Sequence, residues 1–63
     1  MNNLKPKYND QTGKEMDAIL HMYQRASAEQ LETEVIWSYT HSIQAGNSIE
    51  EACYYALCEW DAL

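Results

Sequence analysis

Three stretches of the chain repeat apolar residues at three- and four-residue steps, the spacing that lines one face of an α-helix. In the first, Met16, Ile19, Leu20, Tyr23 and Ala26 share a face expected to turn inward. In the second, Leu31, Val35, Ile36, Tyr39 and Ile43 do so, and Trp37 lies about 100° beyond its nearest member. In the third, Ile49, Ala52, Cys53, Ala56, Leu57 and Trp60 fall within about 140° of one another. Ala52 and Ala56 in that stripe permit a neighbouring helix to come close. Tyr54, Tyr55 and Cys58 occupy the opposite side, spread over about 100°.

A start signal precedes each stretch. Thr12 with Glu15, Ser27 with Gln30 and Ser48 with Glu51 each fit the capping box, in which a hydroxyl accepts from a backbone N–H and the later side chain reaches back. Glu29, Glu50 and Glu51 bring negative charge to the positive ends of helices. Gly46-Asn47 closes the second stretch, because glycine takes the left-handed conformation that a helix terminus often needs. Helices are therefore expected over about 13–26, 28–45 and 49–61. Links this short make consecutive helices neighbours, which predicts an all-α, compact three-helix unit over residues 13–63. Residues 1–14 hold three of the four bases and the sole proline, with no helical period. A flexible N-terminal arm over residues 1–12 is the expectation.

Charge narrows the choice of partners. Ten acids against four bases leave a net charge of −6, which argues against direct nucleic-acid binding. Glu29, Glu32, Glu34, Glu50, Glu51, Glu59 and Asp61 offer an acidic surface to a basic partner. An alternative is imitation of nucleic acid inside a nuclease or helicase groove. One helix face, however, presents a carboxylate only every ~5–6 Å, against one charge per ~1.7 Å of duplex axis, so a solvated acidic face is the simpler reading. No apolar run approaches the ~18–20 residues that span a bilayer, and Met1 to Asn9 lacks a hydrophobic signal core. A cytoplasmic location is expected, the host cytoplasm if a phage encodes the chain, with no membrane partner.

Candidate chemistry is sparse. Two glycines make no phosphate-cradling loop. Cys53 and Cys58 on one helix point about 140° apart with a rise of ~7.5 Å, beyond mutual disulfide reach. Unpaired thiols suit a reducing compartment. With His21 and His41 they match the ligand count of tetrahedral zinc, but a C-x4-C pair within a continuous helix does not converge. Asp17 and His21 stand at i,i+4, yet no nucleophile can be placed beside them. His41 falls at the polar edge of the second helix in projection, near Glu34 and Ser38. Neither an enzyme, a metal site nor a cofactor is expected.

What remains is a surplus of apolar surface. Below about 70–80 residues a single core seldom supplies more than ~3–5 kcal/mol, and small domains add disulfides, a metal or association. With the first two set aside, Trp37, Tyr54, Tyr55 and Cys58 become the candidate interface, of residue types enriched at binding hot spots. A homodimer is the commonest way to cover such a surface. The expected function is that of a small acidic helical interaction module that self-associates and acts by binding and blocking a larger protein. Analogy from size and charge points to a phage or mobile-element inhibitor of bacterial defence. A non-inhibitory structural or regulatory subunit of an assembly is the alternative.

Overall fold

The computed structural model describes residues 9–63, which form α1 (Asp10–Ala28), α2 (Glu32–Gln44) and α3 (Ile49–Glu59). No strand occurs among the described residues, and the all-α three-helix unit read from the pattern is present. Residues 1–8 of the expected arm lie outside the described residues. No described helix is long and apolar enough to cross a membrane.

Two of the three expected caps are replaced. Asn9 Oδ1 accepts from the Thr12 N–H at 2.7 Å, so α1 starts at Asp10 and residues 10–12 are helical. Glu15, freed from a capping role, accepts from Gln11 Nε2 at 3.2 Å. Ser27 does not open α2 but lies inside the last turn of α1. α2 begins later, at Glu32, behind Leu31, which makes no side-chain cap. Glu32 and Glu34 in its first turn supply negative charge at the positive end instead. Ser48 and Glu51 form the expected reciprocal box, with both bonds at 3.1 Å.

All three helices end in one motif. Gln30 donates to the Ser27 carbonyl and Leu31 to that of Ala26; Gly46 donates to Ile43 and Asn47 to Ser42; Asp61 donates to Cys58 and Ala62 to Leu57. This 5→2 and 6→1 pairing is the Schellman turn, which satisfies carbonyls that a helix end otherwise leaves bare. It puts Gln30, Gly46 and Asp61 at φ values of 59°, 99° and 54°. Only glycine adopts that region without a steric penalty, which is why only Gly46 announces its turn in the sequence.

α3 is the helix on which both others pack, while α1 and α2 touch each other least. Its Ala52, Cys53, Ala56 and Leu57 are buried, with Ile49 and Trp60 half-buried, as the stripe predicts. Around them close Met22 and Ala26 of α1, Val35 of α2, and Ala62. Four of these eight apolar core residues are alanine, and Val35 is the largest side chain that is fully enclosed. Two polar links fix the ends. Trp60 Nε1 donates to the Oγ of buried Ser38 at 2.8 Å, a bond of about 1 kcal/mol net that ties α2 to the end of α3. Arg25 Nε donates to the Ala62 carbonyl at 3.1 Å, and its Nη2 donates to Glu29 at 3.1 Å.

The face of α1 departs from expectation. Met16, Ile19, Leu20 and Tyr23 are 48%, 38%, 56% and 49% exposed. The side of α1 that turns inward instead runs through Ala18, Met22 and Ala26, an i, i+4, i+8 row of mostly small residues. Alanines line both α1 and α3 in the core, and the Arg25–Ala62 bond ties α1 to the chain just beyond α3. On α2, Val35 and Ser38 are buried, Leu31, Tyr39 and Ile43 half-buried, but Ile36 is exposed rather than inward. Ile36 follows Val35 and points about 100° away from it, so the rotation that buries Val35 leaves Ile36 at the surface.

Enlarging the seam tests this packing. Ala56→Leu is expected to cost about 1–3 kcal/mol by chemical denaturation, whereas Tyr54→Ala should stay within about 0.5 kcal/mol of wild type. Relieving a left-handed residue acts in the opposite direction: Gln30→Gly should raise stability by about 0.5–1 kcal/mol, read from the shift in denaturation midpoint at constant slope.

Candidate functional site

The outer face of α3 carries three of the four predicted interface residues together. Tyr54 and Tyr55 meet edge to face with ring centroids 6.0 Å apart, and both are about half exposed. Cys58, one turn beyond Tyr54, is an exposed free thiol. The Tyr54 hydroxyl titrates above its ordinary value, chiefly through the neighbouring Cys58 side chain and its charge, then through desolvation and Tyr55. Trp37 stands apart on α2. It is 57% exposed, and its ring lies 4.1 Å from that of His41, centroid to centroid, at a tilt of 47°. Among the described residues no aromatic contact joins the Trp37–His41 pair to the tyrosines. Ser38, expected beside His41 on a polar edge, is buried against Trp60.

A cavity of about 150 Å³ opens between α1 and α3 beside Tyr54. Ala18 and His21 line it from α1, Glu50, Cys53, Tyr54 and Leu57 from α3, and Leu63 from beyond the last turn. Its lining is mainly apolar, and its size suits one aliphatic or aromatic side chain. Gln11 Nε2 reaches across from α1 to Glu50 Oε1 at 3.0 Å and so joins the two walls. Ala18, His21 and Leu63 had no place in the sequence-based site. The cavity depends on which side of α1 meets α3, and the periodicity favours the other side.

Two titratable groups at the α1–α3 and α2–α3 contacts are shifted by burial. Burial pushes the Cys53 thiol upward and the Glu50 carboxylate adds to the effect, so the nucleophilic thiolate is suppressed. Burial likewise raises the Tyr39 hydroxyl, followed by Cys53 and Glu15. Asp17 and His21 are both exposed, and no hydrogen bond joins them among the described residues. Nor do three or more His, Cys, Asp or Glu side chains converge there as a metal-binding group.

The seven acids of the predicted partner surface divide between the two ends of the bundle. Glu29 follows α1, Glu32 and Glu34 open α2, and Glu59 and Asp61 flank the end of α3, which the Arg25–Ala62 bond ties to the last turns of α1. Glu50 and Glu51 lie at the other end of α3, where Gln11 of α1 meets Glu50. Three have local partners: Glu29 pairs with Arg25 at 3.1 Å, Glu50 with Gln11, and Glu51 closes the α3 capping box.

Comparison with protein-family models, curated proteins and solved structures finds no match.

Thiol labelling checks the contrast between the cysteines. A maleimide or disulfide reagent at neutral pH should modify one thiol per folded chain, Cys58, with Cys53 reacting only under denaturing conditions. Two equally fast thiols in the folded state would show that the α1–α3 seam opens.

Proposed function

We propose that this chain is a non-enzymatic binding module that works by covering and blocking a site on a larger protein. The observation that carries the reading is an inversion of size: half of the eight apolar core residues are alanines, while Met16, Ile19, Leu20, Tyr23, Ile36, Trp37, Tyr54, Tyr55 and Leu63 lie exposed. A soluble surface rarely leaves so many large apolar and aromatic groups in water unless a partner removes them. The face offered to that larger protein is the tyrosine pair with the adjoining cavity. Two rings beside a hole of side-chain size have the form of a binding hot spot, in which a partner inserts one apolar anchor and the aromatic rim excludes water around it. Glu50 is the one acid in the cavity lining, and with a net charge of −6 on the chain it favours a partner with basic residues beside that anchor.

The expected target class, a bacterial defence protein, sets the test. Immobilised wild-type chain and a Tyr54→Ala/Tyr55→Ala variant would be exposed to the same bacterial lysate, and retained proteins quantified by mass spectrometry. One protein held in stoichiometric amount by wild type, and at least tenfold less by the variant, is the expected result. Once isolated, that protein should lose its own activity on adding wild-type chain. Equal retention by both chains would remove the tyrosine face from the reading; binding without loss of activity would remove the blocking role.

A further inference from the structure

The exposed stripe of α1 has a property that the tyrosine face lacks. On the helical projection an arc of about 100° contains Thr12, Met16, Ile19, Leu20, Tyr23 and Ser27 and nothing else. None of the six is charged, in a chain of net charge −6. The nearest charged positions, Glu15 and Asp17, lie about 40° and 60° beyond its edges. The order of the six is also symmetric about the midpoint between Ile19 and Leu20. Outward from that point come two branched aliphatics, then the long side chains Met16 and Tyr23, then the hydroxyls Thr12 and Ser27.

We propose that this stripe is a self-association surface, on which a second copy of the chain lays its own α1 antiparallel across a two-fold axis between Ile19 and Leu20. In that arrangement Ile19 meets Leu20, Met16 meets Tyr23 and Thr12 meets Ser27, each contact made twice, as an isologous interface requires. The Met16 thioether reaches the partner's aromatic ring, a favourable sulfur–aromatic contact. Opposed helix dipoles attract in the same orientation.

Charge and area both favour a second copy as occupant. Two chains of charge −6 repel through most of their surfaces, and the uncharged arc lets them meet without setting carboxylate against carboxylate. The exposures of Met16, Ile19, Leu20 and Tyr23 amount to roughly 400 Å² of surface per copy, within the ~300–600 Å² of the largest patch on a typical monomer. Doubled, and extended by Thr12, Ser27 and Gln24, the contact approaches the ~1,200 Å² at which stable interfaces begin. Burial of these four large side chains thus yields a dimer of modest affinity, populated at micromolar concentrations. The inference does not rest on the tyrosine face or on a larger partner.

Two measurements test it. Light scattering at about 1–100 μM should give wild type a mass twice that of one chain. Leu20→Glu, which brings two carboxylates to the axis from an exposed position, should halve that mass with helical circular dichroism retained, and Tyr55→Ala should leave it doubled. A monomeric wild type, a Leu20→Glu variant as dimeric as wild type, or loss of the dimer in Tyr55→Ala alone overturns the proposal. Cross-linking supplies the arm that does not depend on Leu20→Glu folding. With Cys58→Ser as background, a Met16→Cys chain mixed with a Tyr23→Cys chain should form a disulfide between the two under mild oxidation, and neither should cross-link alone. Cross-linking of each variant to itself signals parallel pairing, and no cross-link in any mixture signals another surface; either result overturns the antiparallel dimer.

Discussion

The packing of α1 and α2 on the buried, alanine-bearing stripe of α3 decides the rest of this molecule. Ala56 is fully buried in the core cluster, and around it the neighbours turn inward Ala18, Met22 and Ala26 of α1 and Val35 of α2. Dense packing of small groups recovers dispersion contacts that a wider core would fill with larger side chains. The consequence is rotational. Once α1 turns its small row inward, the larger row beside it must face water, and Met16, Ile19, Leu20 and Tyr23 become surface.

The ends of the helices reinforce this choice. A Schellman turn closes each helix, two of the three through non-glycine residues in the left-handed region. Gln30 and Asp61 are held there by their surroundings: Leu31 packs against the core after the first turn, and Ala62 is buried after the second. Arg25 then reads the second turn directly through the Ala62 carbonyl. Neither that contact nor the Ser38–Trp60 bond stabilises a small domain greatly by itself, but both specify how the helices are rotated against one another.

How far the sequence discloses this depends on whether a feature is local. The Ser48–Glu51 box and the left-handed Gly46 are local, and both are legible; so is the stripe of α3, since a central helix buries its dominant apolar face whichever neighbours arrive. The cap at Asn9 is equally local, and was obscured because Thr12 three residues later offers an equally good box. The false start at Ser27 has a different cause, since a Schellman turn through Gln30 carries no glycine to mark it. α1 turns only Ala26 of its expected face inward. Its two adjacent rows share the helical period, and hydrophobicity ranks the bulkier one first, whereas the choice between them is made by alanines on another helix. The cavity inherits that uncertainty because His21 and Ala18 reach it only in the observed rotation. On the predicted interface, adjacency along α3 makes the clustering of Tyr54, Tyr55 and Cys58 readable, while Trp37 required the relation between two helices.

The same rotation separates the two proposed surfaces. On α1 the cavity is lined by Ala18 and His21, whose directions lie about 100° or more from Leu20 and from Ile19 respectively, so the uncharged arc and the cavity occupy different sides of one helix. A second copy seated on the arc leaves the tyrosine face uncovered. The two-fold operation would then present two such faces, related by the same axis, on a single particle. A larger partner that is itself two-fold, or that repeats its site, would be engaged at both positions, with the second contact made at high effective concentration. Weak individual faces are sufficient under that geometry, and the affinity of each is coupled to the self-association that doubles it.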